Sequence, residues 1–137
     1  MKVASAMTRR VVTVELDDTL AQVKQIFDNI RFHHLLVVER DKLLGVLSDR
    51  DLFMAISPNV GTINATTHDE ATLNKRVHQV MSRHPVTVHE DDALGIAVDR
   101  FLHHDISCLP VVDDAGSAVG VLSWRDILRV MDRQASV

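Results

Sequence analysis

The order of apolar and polar positions along this chain switches between two periods, and each switch marks an element. Val11 to Val14 is a short β-branched run and reads as a strand. After the acidic pair Asp17-Asp18, the residues Leu20, Val23, Ile26, Phe27 and Ile30 recur at helical spacing, which predicts a helix with a clear start. Leu35 to Val38 is nearly continuous and apolar, the pattern of a strand covered on both faces. A polar turn at Glu39 to Lys42 follows, then a second apolar run that ends at Ser48, where a short helix begins. The predicted order is β-α-β-β-α.

That pattern then returns. The stretch MTRRVVTVELDDTLAQVKQIF from Met7 is matched by MSRHPVTVHEDDALGIAVDRF from Met81. Thr13 maps to Thr87, Asp17-Asp18 to Asp91-Asp92, and Phe27 to Phe101, all at one offset. LLVV at Leu35 meets LPVV at Leu109, and after one inserted residue near Gly116, GVLSDRD at Gly45 meets GVLSWRD at Gly120. The second copy has its own strand at Val86 to Val88, a polar turn at Asp113 to Ser117, and a helix carrying Leu94, Ile96, Val98, Phe101 and Leu102. The spacing in that helix is less regular. A repeat this long means two copies of one fold unit, of mixed α/β class. The segment 57–73 is rich in Ser, Thr, Asn and Gly and reads as a linker between repeat 1 (1–56) and repeat 2 (74–137). Short helices at Asn74 to Met81 and at Val3 to Met7 are expected to lead into the second and first copies.

Bulk properties narrow the class. With 137 residues, 46% hydrophobic and 25% charged, the chain suits one compact domain or two small paired ones. A net charge of −4 without a basic run argues against nucleic acid, whose binding depends on neutralised phosphates. A small phosphorylated ligand needs only a few local cations. No apolar run approaches the roughly 20 residues of a membrane span, and no signal peptide is evident. The single cysteine, Cys108, excludes an intrachain disulfide and fits a reducing cytoplasm.

V-x-T-V, D-D-x-L, L-P-V-V and G-V-L-S-x-R-D, in that order and twice, resemble tandem CBS domains, the Bateman module, as found in stand-alone CBS-domain proteins. The resemblance covers the chain apart from the linker and the last few residues. It implies two β-α-β-β-α repeats packed sheet to sheet about a pseudo-twofold axis, with two clefts that hold adenosine compounds: AMP, ADP, ATP or S-adenosylmethionine. It also implies a disc-like homodimer.

The candidate site is Gly45, Ser48, Arg50 and Asp51, with its twin Gly120, Ser123, Arg125 and Asp126. Each set sits where a strand delivers the chain to a helix N-terminus, whose free N–H groups and positive dipole end favour phosphate. Serine can donate to a phosphate oxygen, arginine can add charge-assisted bonds, and an ionised Asp offers two acceptor oxygens to a ribose. S-x-x-D at a helix start is equally a capping box, and spacing alone favours that reading. Recurrence within the family pattern reverses the preference, and the two roles are compatible.

By analogy with nucleotide-sensing relatives, the base side comes from the opposite repeat. Val11, Val12, Phe32 and His33 would face Ser123 and Asp126, while Pro85, Val86, Ile106, Ser107 and Cys108 would face Ser48 and Asp51. His33 and His34 stand where such relatives place basic residues against phosphates. Affinity would then rise as pH falls through about 6.5. The alternative is that one of the pair faces solvent and the other packs.

The remaining histidines (His68, His78, His84, His89, His103, His104) lack metal-ligand spacing, so no metal site is expected. Cys108 has no catalytic partner in sequence and reads as a small buried group. Trp124 either stacks on a ligand or is an exposed helix-start residue. Leu36 stands where the second copy has Pro110. Asp49 adds a carboxylate beside Ser48, which makes the Asp126 turn the better expected phosphate site. No Ser-His-acid order, nucleophile elbow or Walker loop points to an enzyme. The expectation is a nucleotide-sensing regulatory module that signals to an unidentified effector protein. A ligand-independent homodimerisation module is the other reading.

Overall fold

The computed structural model describes residues 1–135. Residues 136 and 137, the end of the expected second repeat, lie outside the described residues. Along the chain run α1 (Val3–Ala6), β1 (Thr13–Val14), α2 (Leu20–Asn29), β2 (His34–Glu39), β3 (Lys42–Ser48) and α3 (Asp49–Ala55). Then come α4 (Thr67–Ala71), a 3-10 turn at Thr72–Asn74, α5 (Val77–Val80), β4 (Ser82–Arg83), β5 (Val88–His89), α6 (Leu94–His103), β6 (Cys108–Val112), β7 (Ala118–Ser123) and α7 (Trp124–Ala135). Both copies therefore show β-α-β-β-α in a mixed α/β fold with two sheets.

One compact unit comprises residues 12–40 and 44–84. Its sheet has the order β1-β2-β3-β4. β1 lies parallel to β2 with Thr13 opposite Leu36, and β3 antiparallel to β4 with Gly45 opposite Arg83. Leu35, Leu36 and Val37 are fully buried, as the unbroken apolar run predicts. Thr19, not the preceding Asp pair, caps α2. Its hydroxyl accepts from Gln22 N at 3.2 Å while Gln22 Oε1 accepts from Thr19 N at 2.7 Å. That start aims Leu20 and Val23 into a core with Val14, Leu35, Val37, Leu47, Leu52, Val77 and Met81. Truncating one of these leucines to Ala removes about 2–5 kcal/mol.

The other unit comprises residues 1–11, 41–43 and the chain from 85 onward. Its sheet is β5-β6-β7, with Val88 parallel to Val111 and Cys108 antiparallel to Ser123. The inserted residue is absorbed in the β6–β7 turn. There Asp113 Oδ1 accepts from Ala115 N and Ser117 N at 2.9 Å each, and Gly116 takes φ 82°. The first copy makes the same connection with Arg40 and Asp41, both at positive φ (50° and 65°), a two-residue mirror turn. Val3, Val88, Ala97, Leu109, Val111 and Leu122 form the core. On α6 the inward face is Leu94, Ala97 and Phe101, whereas Leu102 is 76% exposed, which explains the irregular apolar spacing there.

The leading segments are exchanged. Residues 1–11, expected to enter the first copy, belong to the unit of the second: Val3 N donates to Asp92 O, Leu94 N to Met1 O, and Thr8 and Val121 exchange both main-chain bonds at 2.9 Å. α5 and β4 belong to the unit of the first, where Val77 N donates to Asp18 O at 2.9 Å and β4 extends the sheet. The segment read as a linker is partly helical. Thr66 caps α4 in a box with Asp69, and Asp69 also accepts from Ser57 Oγ at 2.7 Å. These hydrogen bonds, that of Ser57 first, hold the Asp69 carboxyl down at about 2. The helix predicted at Asn74 begins at Val77, and β1 and β5 are two residues each, leaving Val11, Val12 and Val86 outside the strands.

Candidate functional site

Each copy ends its hairpin on a serine because the apolar strand gives way there to a residue whose hydroxyl can cap a helix. Ser48 Oγ accepts from Asp51 N at 3.0 Å, and Asp51 Oδ2 accepts from Ser48 N at 2.9 Å. In the second copy Ser123 Oγ accepts from Asp126 N at 3.3 Å. Asp126 Oδ2 accepts from Ser123 N at 2.8 Å and lies 3.2 Å from Ser123 Oγ. The capping box is thus formed twice, and each box uses one carboxylate oxygen.

The second oxygen separates the copies. Asp126 is 6% exposed, and its Oδ1 accepts from Arg129 Nη1 at 3.1 Å. Asp51 is half-buried, and among the described residues no hydrogen bond reaches its Oδ1. Aligning the copies puts Met54, 80% exposed, at the position of Arg129. Arg129 was absent from the expected set, although an Asp–Arg pair three residues apart on a helix is a legible signal.

The glycines of the motif have a structural reason. A Cβ at Gly45 would stand 2.5 Å from Ser82 O, and one at Gly120 would stand 2.8 Å from Met7 Sδ and 2.9 Å from Thr8 O. Both make room for an exchanged segment, in the way a missing Cβ permits close backbone approach. Arg50 and Arg125 are exposed on the first turn of their helices.

The remaining expected residues divide between the two units. In the unit containing Ser48 and Asp51, Val12 packs on the core and its carbonyl accepts from Leu36 N at 3.0 Å. Phe32 is half-buried. His33 is exposed, its carbonyl accepts from Asp49 N at 2.9 Å, and its Nδ1 lies 2.8 Å from Asp49 Oδ2. His34 is half-buried, and burial pushes its pKa below 6.5. His33 lowers it further, while Asp49 and Asp51 pull it back up. Any binding step that needs charged His34 is therefore shifted to more acid pH.

In the unit containing Ser123 and Asp126, Val86 and Ile106 pack against the core, and Val11 and Pro85 are half-buried. Pro85 follows His84, whose φ of 52° is left-handed. Ser107 is exposed, and Cys108 is buried opposite Ser123, its thiol pushed up to about 12 by burial. Trp124, at the first position of α7, is 57% exposed. Among the described residues no group of three or more His, Cys, Asp or Glu could hold a metal ion. No helix among them is long and apolar enough to cross a membrane.

Two copies of a strand–Ser-x-x-Asp–helix unit, each stapled by the other's leading segment, define a tandem-repeat α/β domain pair. The sequence signature of the CBS domain matches residues 3–58 and 77–133, and the chain belongs to that family as a tandem pair. A CBS domain-containing protein of Dictyostelium discoideum is 29% identical over 131 residues, covering 94% of this chain and 90% of its own length. Uncharacterized protein MJ1232 of Methanocaldococcus jannaschii is 28% identical over 131 residues, and the chain spans only 40% of its length.

Among solved structures, the CBS domain pair of protein MJ0100, in complex with 5′-methylthioadenosine and S-adenosyl-L-methionine, superimposes with a TM-score of 0.80 at 23% identity over 98% of both chains. CBSX2 in complex with AMP gives 0.80 at 24% identity over 98% of both. Those two likenesses establish the shared fold. The cytosolic domain of the Mg2+ channel MgtE, in complex with ATP, gives 0.71 at 27% identity, covering 90% of this chain and 46% of that one.

Proposed function

We propose that this chain is a regulatory module that binds an adenosine ligand (AMP, ADP, ATP or S-adenosylmethionine) at its Ser-x-x-Asp turns and transmits the bound state to an effector protein. The observation that carries the reading is the same serine-anchored carboxylate at the strand–helix junction of both copies. It occurs in a family where MJ0100, CBSX2 and MgtE are seen with adenosine ligands. Asp51, held by one oxygen, presents the other to a ribose hydroxyl without further ordering, whereas at Asp126 that second oxygen already accepts from Arg129. The twelve-residue helix α7 adds a positive end that favours a phosphate.

The division into repeats at 1–56 and 74–137 around a 57–73 linker belongs to the same reading, as do a cytoplasmic location, a homodimeric state and the lack of a catalytic step. Regulation requires that the ligand bind two conformations of the module unequally. The test is calorimetric titration with the four ligands, beside Asp51→Ala and Asp126→Ala. Micromolar binding lost in one of the variants supports the reading. A folded protein that binds none of the four refutes it.

A second reading, a ligand-independent homodimerisation module, is favoured by one observation. α7 exposes Trp124 (57%), Leu128 (61%) and Met131 (58%) at helical spacing, an unusual apolar stripe for a surface helix. Leu128→Glu should then turn a dimer into a monomer in light scattering, and added nucleotide should change nothing.

A further inference from the structure

We propose that Arg129 makes the Asp126 turn selective for anionic adenosine ligands, nucleotides, over uncharged nucleosides. This rests on the reading that the Ser-x-x-Asp turns take ribose. Both oxygens of Asp126 are already engaged: Oδ2 by Ser123 N at 2.8 Å and Ser123 Oγ at 3.2 Å, Oδ1 by Arg129 Nη1 at 3.1 Å. The Oδ2 bonds belong to the helix cap and cannot be surrendered without uncapping α7. Oδ1 keeps a second lone pair, so a ribose hydroxyl must share that oxygen with the guanidinium or displace it.

Displacement is feasible, because the Arg129 side chain is 62% exposed while that of Asp126 is buried, and an ion pair with one solvated partner is weak. Displacement has a consequence, however. It leaves a cation one helical turn from the positive end of α7, where a cation is disfavoured. It also takes from a buried carboxylate the charge that balanced it. A ligand phosphate answers both effects at once, since it accepts charge-assisted bonds from the freed guanidinium and suits the helix end. A nucleoside answers neither. The Asp51 turn has no such guanidinium: Met54 occupies the corresponding position.

The test is calorimetry with AMP and adenosine in an Asp51→Ala background, so that the Asp126 turn alone reports. Arg129→Met, Arg129→Lys and Asp126→Ala are each added to that background, with thermal melts confirming the fold. AMP should exceed adenosine by about tenfold when Arg129 is present, the order expected for one charge-assisted contact. Arg129→Met should weaken AMP and strengthen adenosine by about threefold each, collapsing the ratio, because it removes both the phosphate partner and the competitor. Arg129→Lys should keep most of the preference, since the charge remains. An AMP-to-adenosine ratio unchanged by Arg129→Met, with binding intact, overturns the selectivity proposal alone. AMP binding that survives Asp126→Ala, or no binding of either ligand by the folded wild-type chain, overturns this proposal; the functional reading falls with it only if ADP, ATP and S-adenosylmethionine also fail to bind.

Discussion

The two Ser-x-x-Asp turns share one scaffold and differ in nearly everything around it. Beside the first stand His33, His34 and Asp49; the matching positions beside the second are Ser107, Cys108 and Trp124. One helical turn onward, the first has Met54 and the second Arg129. The capping box itself is kept in both, so divergence has left the part that holds the helix and altered the part that surrounds the free oxygen. The first turn is therefore lined by two imidazoles and a second carboxylate, and the second by a neutral thiol and a permanent cation. Asp49, expected to repel phosphate at the first turn, lies 2.8 Å from His33 Nδ1. Two sites with equal affinity and equal pH response would contradict this difference in their surroundings.

The largest expected effect tests what the copies have in common. Gly45→Ala places a methyl group 2.5 Å from a backbone oxygen that cannot move without breaking β4 from β3, and should cost about 3 kcal/mol in urea unfolding. Gly120→Ala meets the far end of the Met7 side chain first, at 2.8 Å, with Thr8 O close behind at 2.9 Å. It should cost less, about 1–2 kcal/mol. Equal and negligible costs would show that the exchanged segments are not tightly seated.

A smaller effect separates the carboxylates. Asp126→Ala removes a buried acceptor from Ser123 N, Ser123 Oγ and Arg129, and should destabilise by about 2 kcal/mol; Asp51→Ala removes a half-buried one and should cost about 1 kcal/mol. Denaturant midpoints of the two variants compare them directly. If Asp51→Ala proves the costlier, the extra bonds at Asp126 carry no net stability.

Much of this arrangement could be read from the residues, and the part that could not has a physical reason. The doubled unit was visible because buried strands need unbroken apolar runs, and Leu35–Val37 and Leu109–Val111 both have them. The exchange of leading segments was hidden because it is made of main-chain bonds, Thr8 with Val121 and Val77 with Asp18, which leave no side-chain period. Its one trace is negative, the missing Cβ at Gly45 and Gly120, and in sequence those glycines are indistinguishable from part of a ligand motif. β4 is two polar residues, invisible to any pattern of burial. α4 was legible, since Thr66 to Asp69 is itself a T-x-x-D box, but the surrounding Ser, Thr and Asn content outweighed it. The exchange of Met54 for Arg129 lies three residues beyond the matching motif, where the two copies no longer share a pattern.

The smallest effect sharpens the contrast between His34 and Cys108, which occupy the same strand position. The Cys108 thiol, pushed up to about 12, stays neutral across the ordinary range and contributes no pH dependence there. Burial lowers the His34 pKa, so below 6.5 the unfolded chain takes up a proton that the folded chain resists. Stability from this group is accordingly complete above 6.5, declines as pH falls below it, and levels off once folded His34 is itself protonated. Urea midpoints at pH 7.5, 6.5 and 5.5 should show that decline in the wild-type chain, and His34→Gln should flatten it. Because Asp49 and Asp51 pull the His34 pKa back up, Asp49→Asn should steepen the decline, and should do so in a His33→Gln background too, which separates His34 from the His33 ring that Asp49 also touches. A slope that neither substitution changes would assign the titration to another group and leave the first turn as insensitive to pH as the second.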